Sequence, residues 1–185
     1  MINILVSNNK LTKLRENCFI NLALLKDISF DSNSINEIEP NSFRGLENSL
    51  STLNLENNKL DMIKTFYFSN LTSLTSLNLR KNRISSIERD SFNSLIKLKY
   101  LNLSDNCLFN LHRNIFSNLV DLVSLNVSQN LFKAFNITRS LKNLPSLKYL
   151  FSFESQIEYF DLSCDSTTLP NITHLDFSSN HWLRY

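Results

Sequence analysis

One eleven-residue phrase returns along this chain every 24 or 25 residues. Aligned on its asparagine it reads Leu-x-x-Leu-x-Leu-x-x-Asn-x-Leu, and it is cleanest from Leu50 to Leu60, Leu74 to Ile84, Leu98 to Leu108 and Leu122 to Phe132. The asparagines are Asn9, Asn33, Asn58, Asn82, Asn106, Asn130 and Asn180, with Ser155 in the seventh of eight places, so the steps are 24, 25, 24, 24, 24, 25 and 25. Self-similarity at a fixed short period means a stack of coils in which each unit contacts only its neighbours.

Leu-x-Leu alternates with period 2, which describes a short strand with one buried face. Leu53 and Leu55, Leu77 and Leu79, and Leu101 and Leu103 point inward, while Asn54, Asn78 and Asn102 point out. By the same register Ile4 and Val6 are strand residues. Stacking pairs these strands in parallel, about 4.8 Å apart. The turn after each strand strands backbone donors and acceptors inside the coil. A column of asparagine amides, which carry both, satisfies them, and Ser155 does part of that job. Ten residues after the asparagine come Phe19, Phe43, Phe68, Phe92 and Phe116, each followed by Leu22, Leu46, Leu71, Leu95 or Leu119. These pairs form an aromatic spine behind the sheet. It slips to Leu141 and Leu144 in the sixth repeat, and Leu169 is its best candidate in the seventh.

The phrase and its period resemble the leucine-rich repeat family over the whole chain. The resemblance implies an α/β leucine-rich repeat solenoid: a curved right-handed coil with a parallel β-sheet on the concave face, and mostly turns with short helical or 3-10 segments on the convex face. Residues 1–185 read as a single domain of about eight repeats. The 24-residue form with a phenylalanine spine is similar to the repeats of Toll-like receptors and of secreted matrix or neuronal-guidance proteins. Extracellular members of the family usually close both ends with cysteine-rich caps. Both caps are missing here, which is expected of a segment of a longer protein, with Phe177, Trp182 and Tyr185 on an open end.

Composition narrows the function. A single glycine, Gly45, leaves no loop to cradle phosphates and no nucleophile elbow. No apolar run approaches the roughly 18 residues of a membrane span, and the start at Met1 to Val6 is too short and lacks the basic lead-in of a signal sequence. His112 and His181 read as surface residues, and His174 sits just before a strand. Cys164 with His174 is a poor match to any zinc spacing, and Glu37 and Glu39 fall on an exposed turn as ordinary solvated charge. No nucleophile, base and oxyanion donor converge. The expectation is therefore no enzyme, no metal and no cofactor.

Compartment is less sharply marked. Cys18, Cys107 and Cys164 lie in different repeats and read as three unpaired thiols, Cys107 buried, which favours a reducing compartment or pairing with missing parts of the chain. Five glycosylation sequons begin at Asn70, Asn102, Asn126, Asn136 and Asn171, about the number that chance places among 27 asparagines. The family subclass points instead to the extracellular side of the plasma membrane or to secretion, with the cytoplasm as the alternative.

The concave strand face is the expected working surface. Asn54, Asn78, Asn102 and Asn126 make a polar ladder there, a common filling of this repeat. Tyr149, Phe151 and Phe153 cluster in the seventh repeat, with Tyr100 two repeats away and His174 one repeat on, and exposed aromatics are enriched at binding hot spots. Two registers compete. Spacing from Leu147 through Leu150 to Ile157 turns Phe151 and Phe153 outward, but that buries Ser152; the opposite register buries both rings. The face mixes Lys26, Arg80, Lys81, Lys99 and Lys148 with Asp27, Asp31, Glu56, Asp105, Glu154 and Asp176, so no basic stripe suits nucleic acid. A protein ligand or co-receptor on the concave face or an edge is the expected partner. The reading is a protein–protein interaction module, part of a Toll-like or related receptor ectodomain, with a secreted structural matrix protein or a cytosolic scaffold as alternatives.

Overall fold

The computed structural model describes residues 2–136, 141, 144–161 and 171–181, with 134–136 and 159–161 as backbone alone. Each repeat contributes one strand to a single parallel sheet: β1 (Ile2–Leu5), β3 (Leu25–Ser29), β5 (Thr52–Asn54), β7 (Ser76–Asn78), β9 (Tyr100–Asn102), β10 (Ser124–Asn126), β12 (Tyr149–Phe151) and β14 (His174–Asp176). They lie side by side in chain order. Matching positions pair across repeats, as in Leu53 with Leu77, Leu77 with Leu101, and Leu101 with Leu125. On the opposite side β2 (Lys13–Leu14) pairs with β4 (Glu37–Ile38), β6 (Met62–Ile63) with β8 (Ser86–Ile87), and β11 (Ala134–Asn136) with β13 (Tyr159–Asp161).

The asparagine column does the work its chemistry allows. Asn82 donates from Nδ2 to Leu55 O and Leu79 O, both at 3.0 Å, and its Oδ1 accepts from Leu60 N at 3.1 Å. Asn33, Asn58, Asn106, Asn130 and Asn180 repeat the pattern, bonding their own coil and the one before it. Ser155 substitutes in part, donating to Phe153 O at 3.2 Å and Val127 O at 3.4 Å. Asn9 is exposed and reaches only Val6 O and Ser7 O of its own coil. In all eight repeats the residue before this position has φ between 51° and 57°: Asn8, Ser32, Asn57, Lys81, Asp105, Gln129, Glu154 and Ser179. That left-handed step swings the chain out of the strand and aims the next side chain inward.

Behind the sheet the phenylalanine spine is buried from Phe19 to Phe116. Phe68, Phe92 and Phe116 stack with centroids 6.3 and 6.0 Å apart, and Phe19 stacks on Phe43 at 5.9 Å. Between the two columns, where the repeat is one residue longer, Tyr67 packs edge-on against Phe68. Leu46, Leu71, Leu95, Leu119, Leu141 and Leu144 are buried; Leu169 lies outside the described residues. Leu22 departs from expectation at 40% exposed. Its coil is packed on one side only, by the second repeat, so the leucine that others sandwich between two coils faces solvent here.

Three further expectations change. The leucine-rich repeat solenoid and the turns of its convex face are found, but no helical or 3-10 segment is present among the described residues: that side is made of turns and the short strand pairs. Left-handed residues flank the spine phenylalanine, Asn17, Asn41, Asp90 and Asn114 two before it and Asn21, Gly45 and Asn70 two after it, and a left-handed residue ends any right-handed helix. Cys107 is exposed rather than buried, because Asn106 and Leu108 turn inward and the residue between them turns out. Glu37 is a strand residue in β4, and Lys13 bridges it and Glu39 at 3.1 and 2.7 Å.

Gly45 has φ of +96°, and a Cβ added there would sit 3.2 Å from Phe19 O of the preceding coil. Gly45→Ala is expected to lower stability by about 1–3 kcal/mol, from the left-handed backbone and the tight approach together. Gly45→Asn should cost less, since asparagine serves the same place at Asn21 and Asn70. Urea denaturation of both variants checks the order; an alanine variant as stable as the parent would show that the turn relaxes freely.

Candidate functional site

Two rows of side chains rise from the outward face of the sheet. Ser76, Tyr100, Ser124, Tyr149 and His174 are aligned by strand register, and so are Asn78, Asn102, Asn126, Phe151 and Asp176. The register question at the seventh repeat resolves in favour of outward aromatics. Leu150 and Ser152 are fully buried, while Phe151 and Phe153 are half-buried on the sheet face. Tyr149 stacks on His174 with centroids 4.9 Å apart and planes 28° apart. Tyr100 is the most open of the four tyrosine and phenylalanine rings at 52% exposure.

These residues fall into two groups. Tyr100 and Phe151 line a shallow depression of about 300 Å³ together with Ser76, Asn78, Asn102, Ser124 and Asn126. Tyr149 and His174 form a separate stacked pair toward β14, and Phe153 lies at the turn beyond β12. Ser76 and Ser124 were not singled out as site residues from sequence; small outward residues beside aromatics are the signal that finds them.

The asparagine ladder on this face is not uniform. Each Oδ1 accepts the backbone N–H two residues on, at 3.1 Å for Asn54 and Asn78 and 3.0 Å for Asn102 and Asn126. Asn54 gives its Nδ2 to Ser29 Oγ and Asn78 gives its own to Glu56 Oε2. Nδ2 of Asn102 and Asn126 has no hydrogen-bond partner among the described residues, and both amides line the depression. Charge lies to either side. Arg80 pairs with Glu56 at 3.6 Å; hydrogen bonds from Ser29 and Ser7 hold the Asp31 carboxyl below its ordinary range, and bonds from Ser178 do the same for Asp176.

Of the other sequon asparagines, Asn70 is exposed, Asn171 is exposed with Nδ2 on Pro145 O at 2.7 Å, and Asn136 is the last residue of β11. His112 and His181 are exposed; His112 Nε2 lies 2.9 Å from the Arg89 guanidinium. Cys18 and Cys107 are free thiols, and Cys164 lies outside the described residues. Among the described residues no group of three His, Cys, Asp or Glu side chains could hold a metal ion, and no helix is long and apolar enough to cross a membrane.

Ser152 occupies the inward position that Leu55, Leu79, Leu103 and Val127 fill in earlier repeats, and its hydroxyl has no partner. Ser152→Val is expected to raise stability by about 1–2 kcal/mol by removing an unsatisfied buried hydroxyl and adding buried methyl groups. Thermal melting decides it; a lower Tm would mean that the space beneath Phe151 is already full.

A parallel sheet built one strand per repeat, a buried asparagine column and a phenylalanine spine define a repeat solenoid of the kind that binds other molecules on an exposed surface. A leucine rich repeat sequence profile matches residues 3–60, 48–108 and 72–132, and the chain belongs to the leucine-rich repeat family. No protein of curated function matches it.

Proposed function

We propose that the chain is a protein–protein interaction module that works through the outward face of its eight-stranded sheet, as part of the ligand-binding ectodomain of a Toll-like or related receptor. The observation that carries the binding surface is the outward set of Tyr100, Tyr149, Phe151, Phe153 and His174 on a rigid parallel sheet. Large rings held by strands bury much area on contact at small entropic cost. The face mixes charge signs, which suits a protein partner better than nucleic acid. Nothing in it gathers a nucleophile and a base, so the solenoid acts by recognition and not by catalysis.

Family subclass supports the receptor reading, and Asn70 and Asn171, both exposed and outside the depression, leave room for glycans. A cytosolic scaffold is the second reading, favoured by the exposed free thiols of Cys18 and Cys107. Mass spectrometry of protein from its native cells separates them: sugar on Asn70, Asn136 or Asn171 supports the receptor, and bare asparagines at all five sequons overturn it. For the binding surface, a photo-crosslinking residue in place of Tyr149 is expected to capture a partner that the same residue in place of exposed Phe109 does not. Equal capture from both positions overturns the sheet-face reading.

A further inference from the structure

We infer that the depression between Tyr100 and Phe151 is a binding site for an uncharged saccharide ring, the chemistry of a neutral glycan on a partner. The inference rests on the reading of the sheet face as the working surface and goes further by naming the ligand class. Tyr100 stands on β9 and Phe151 on β12, with β10 between them, so the two rings are rooted two strand spacings apart across the sheet, about 10 Å, and two residues apart along it, about 7 Å. The floor between them carries only Ser124 and Asn126 from β10, with Asn102 beside Tyr100. An opening of that width takes one pyranose ring, whose apolar C–H face lies against an aromatic face, because the ring quadrupole is negative there and the C–H edge is positive.

The polar groups are matched to hydroxyls and not to ions. Oδ1 of Asn102 and of Asn126 is consumed by the backbone of Ser104 and Ser128, so what each amide presents is its Nδ2 donor pair. The two amides sit on neighbouring strands, about 4.8 Å apart at their roots, close to the separation of alternate hydroxyl oxygens on a pyranose. No charged side chain lines the depression. An anionic sugar or phosphate would find no cation there, and a cationic peptide no carboxylate. Of the ionic groups beside it, Arg80 and Glu56 are spent on each other, and Asp176, aligned with Phe151 on the next strand, accepts from Ser178 N. A few convergent polar groups between aromatic walls are the usual makeup of a small-ligand site.

The test uses the full chain and two neutral probes, chitotriose and maltotriose, with a heparin-derived tetrasaccharide as the anionic comparison. Titration followed by NMR is expected to show at least one neutral probe bound and shifting the amides of residues 100–102, 124–126 and 151, with no such response to the heparin fragment. Tyr100→Ala and Phe151→Ala should each weaken that binding on the order of tenfold. Asn126→Asp is the sharper variant: it keeps the Oδ1 that holds the turn, exchanges the Nδ2 donors for a charged acceptor oxygen, and should weaken binding by a similar factor with Tm unchanged. Phe109→Ala, outside the depression, should leave it unaltered. No response to either neutral sugar overturns the inference, as does binding that ignores all three site variants. Glycans found on both Asn102 and Asn126 of the native protein also overturn it, because the depression would then hold the chain's own sugar. A partner still crosslinked from position 149 while the neutral sugars fail to bind would leave the interaction-module reading standing and sink only this one.

Discussion

Asn106→Ala is expected to destabilise the protein by about 3–5 kcal/mol, a large share of the roughly 5–15 kcal/mol that holds a domain together. The side chain is buried and serves two coils at once. Nδ2 donates to Leu79 O and Leu103 O, both at 3.0 Å, and Oδ1 accepts from Ile84 N at 3.0 Å. Alanine removes both donors and the acceptor and leaves the backbone groups inside the solenoid without water, each costing about 1–3 kcal/mol. Asn9→Ala is the internal comparison. It belongs to the same column by sequence, but it is exposed and bonds only its own coil at 3.3 and 3.0 Å, so its loss should cost less than about 1 kcal/mol. Urea unfolding of the two variants measures the difference. If both cost the same, the column would owe its regularity to turn geometry and not to hydrogen bonds between coils.

That contrast also marks where sequence reading succeeds. The column, the inward leucines and the phenylalanine spine are legible because each is a periodic demand of one coil on the next, and a period is visible in one sequence. What escapes is set by backbone conformation or by position in the stack. The left-handed step before each column residue is carried by Asn8, Asn57 and Asp105, which suit it, but equally by Ser32, Lys81, Gln129, Glu154 and Ser179, which do not announce it. The same is true of the turns around the spine, whose left-handed residues replace the expected helical segments. Leu22 obeys the spine pattern as well as Leu46 does, yet only Leu46 has a coil on both sides.

At the site, alternation identified the outward residues correctly and could not decide the seventh repeat, because Ser152 violates the inward rule. The structure accepts that violation, leaving the hydroxyl buried and unpaired, and keeps Phe151 and Phe153 outward. Holding register with the strands on either side outweighs one unsatisfied hydroxyl, since a one-residue slip would also turn Leu150 out of the core. Which ladder asparagines have free amides was equally hidden. It depends on whether the neighbouring strand offers an acceptor, as Ser29 and Glu56 do for Asn54 and Asn78.

Phe92→Ala should cost about as much as the loss of Asn106, and by a different route. Phe92 is 1% exposed and stacks between Phe68 and Phe116 at 6.3 and 6.0 Å, so one truncation opens a cavity against two neighbouring coils. Phenylalanine-to-alanine changes in cores cost about 3–5 kcal/mol, and a solenoid can spread that cost nowhere except into the adjacent repeats. Because stability here is a sum of repeat and nearest-neighbour terms, weakening both interfaces of a central coil should also divide the molecule. Urea unfolding is expected to broaden, with a lower apparent m-value, as the coils on either side of Phe92 lose their coupling. Phe92→Leu keeps most of the volume and should cost about 1–2 kcal/mol without the broadening. Phe66→Ala, at an exposed neighbouring position, should cost under about 1 kcal/mol. A Phe92→Ala variant that unfolds in one sharp transition, only slightly earlier than the parent, would mean that the asparagine column alone couples the coils and the spine merely fills space.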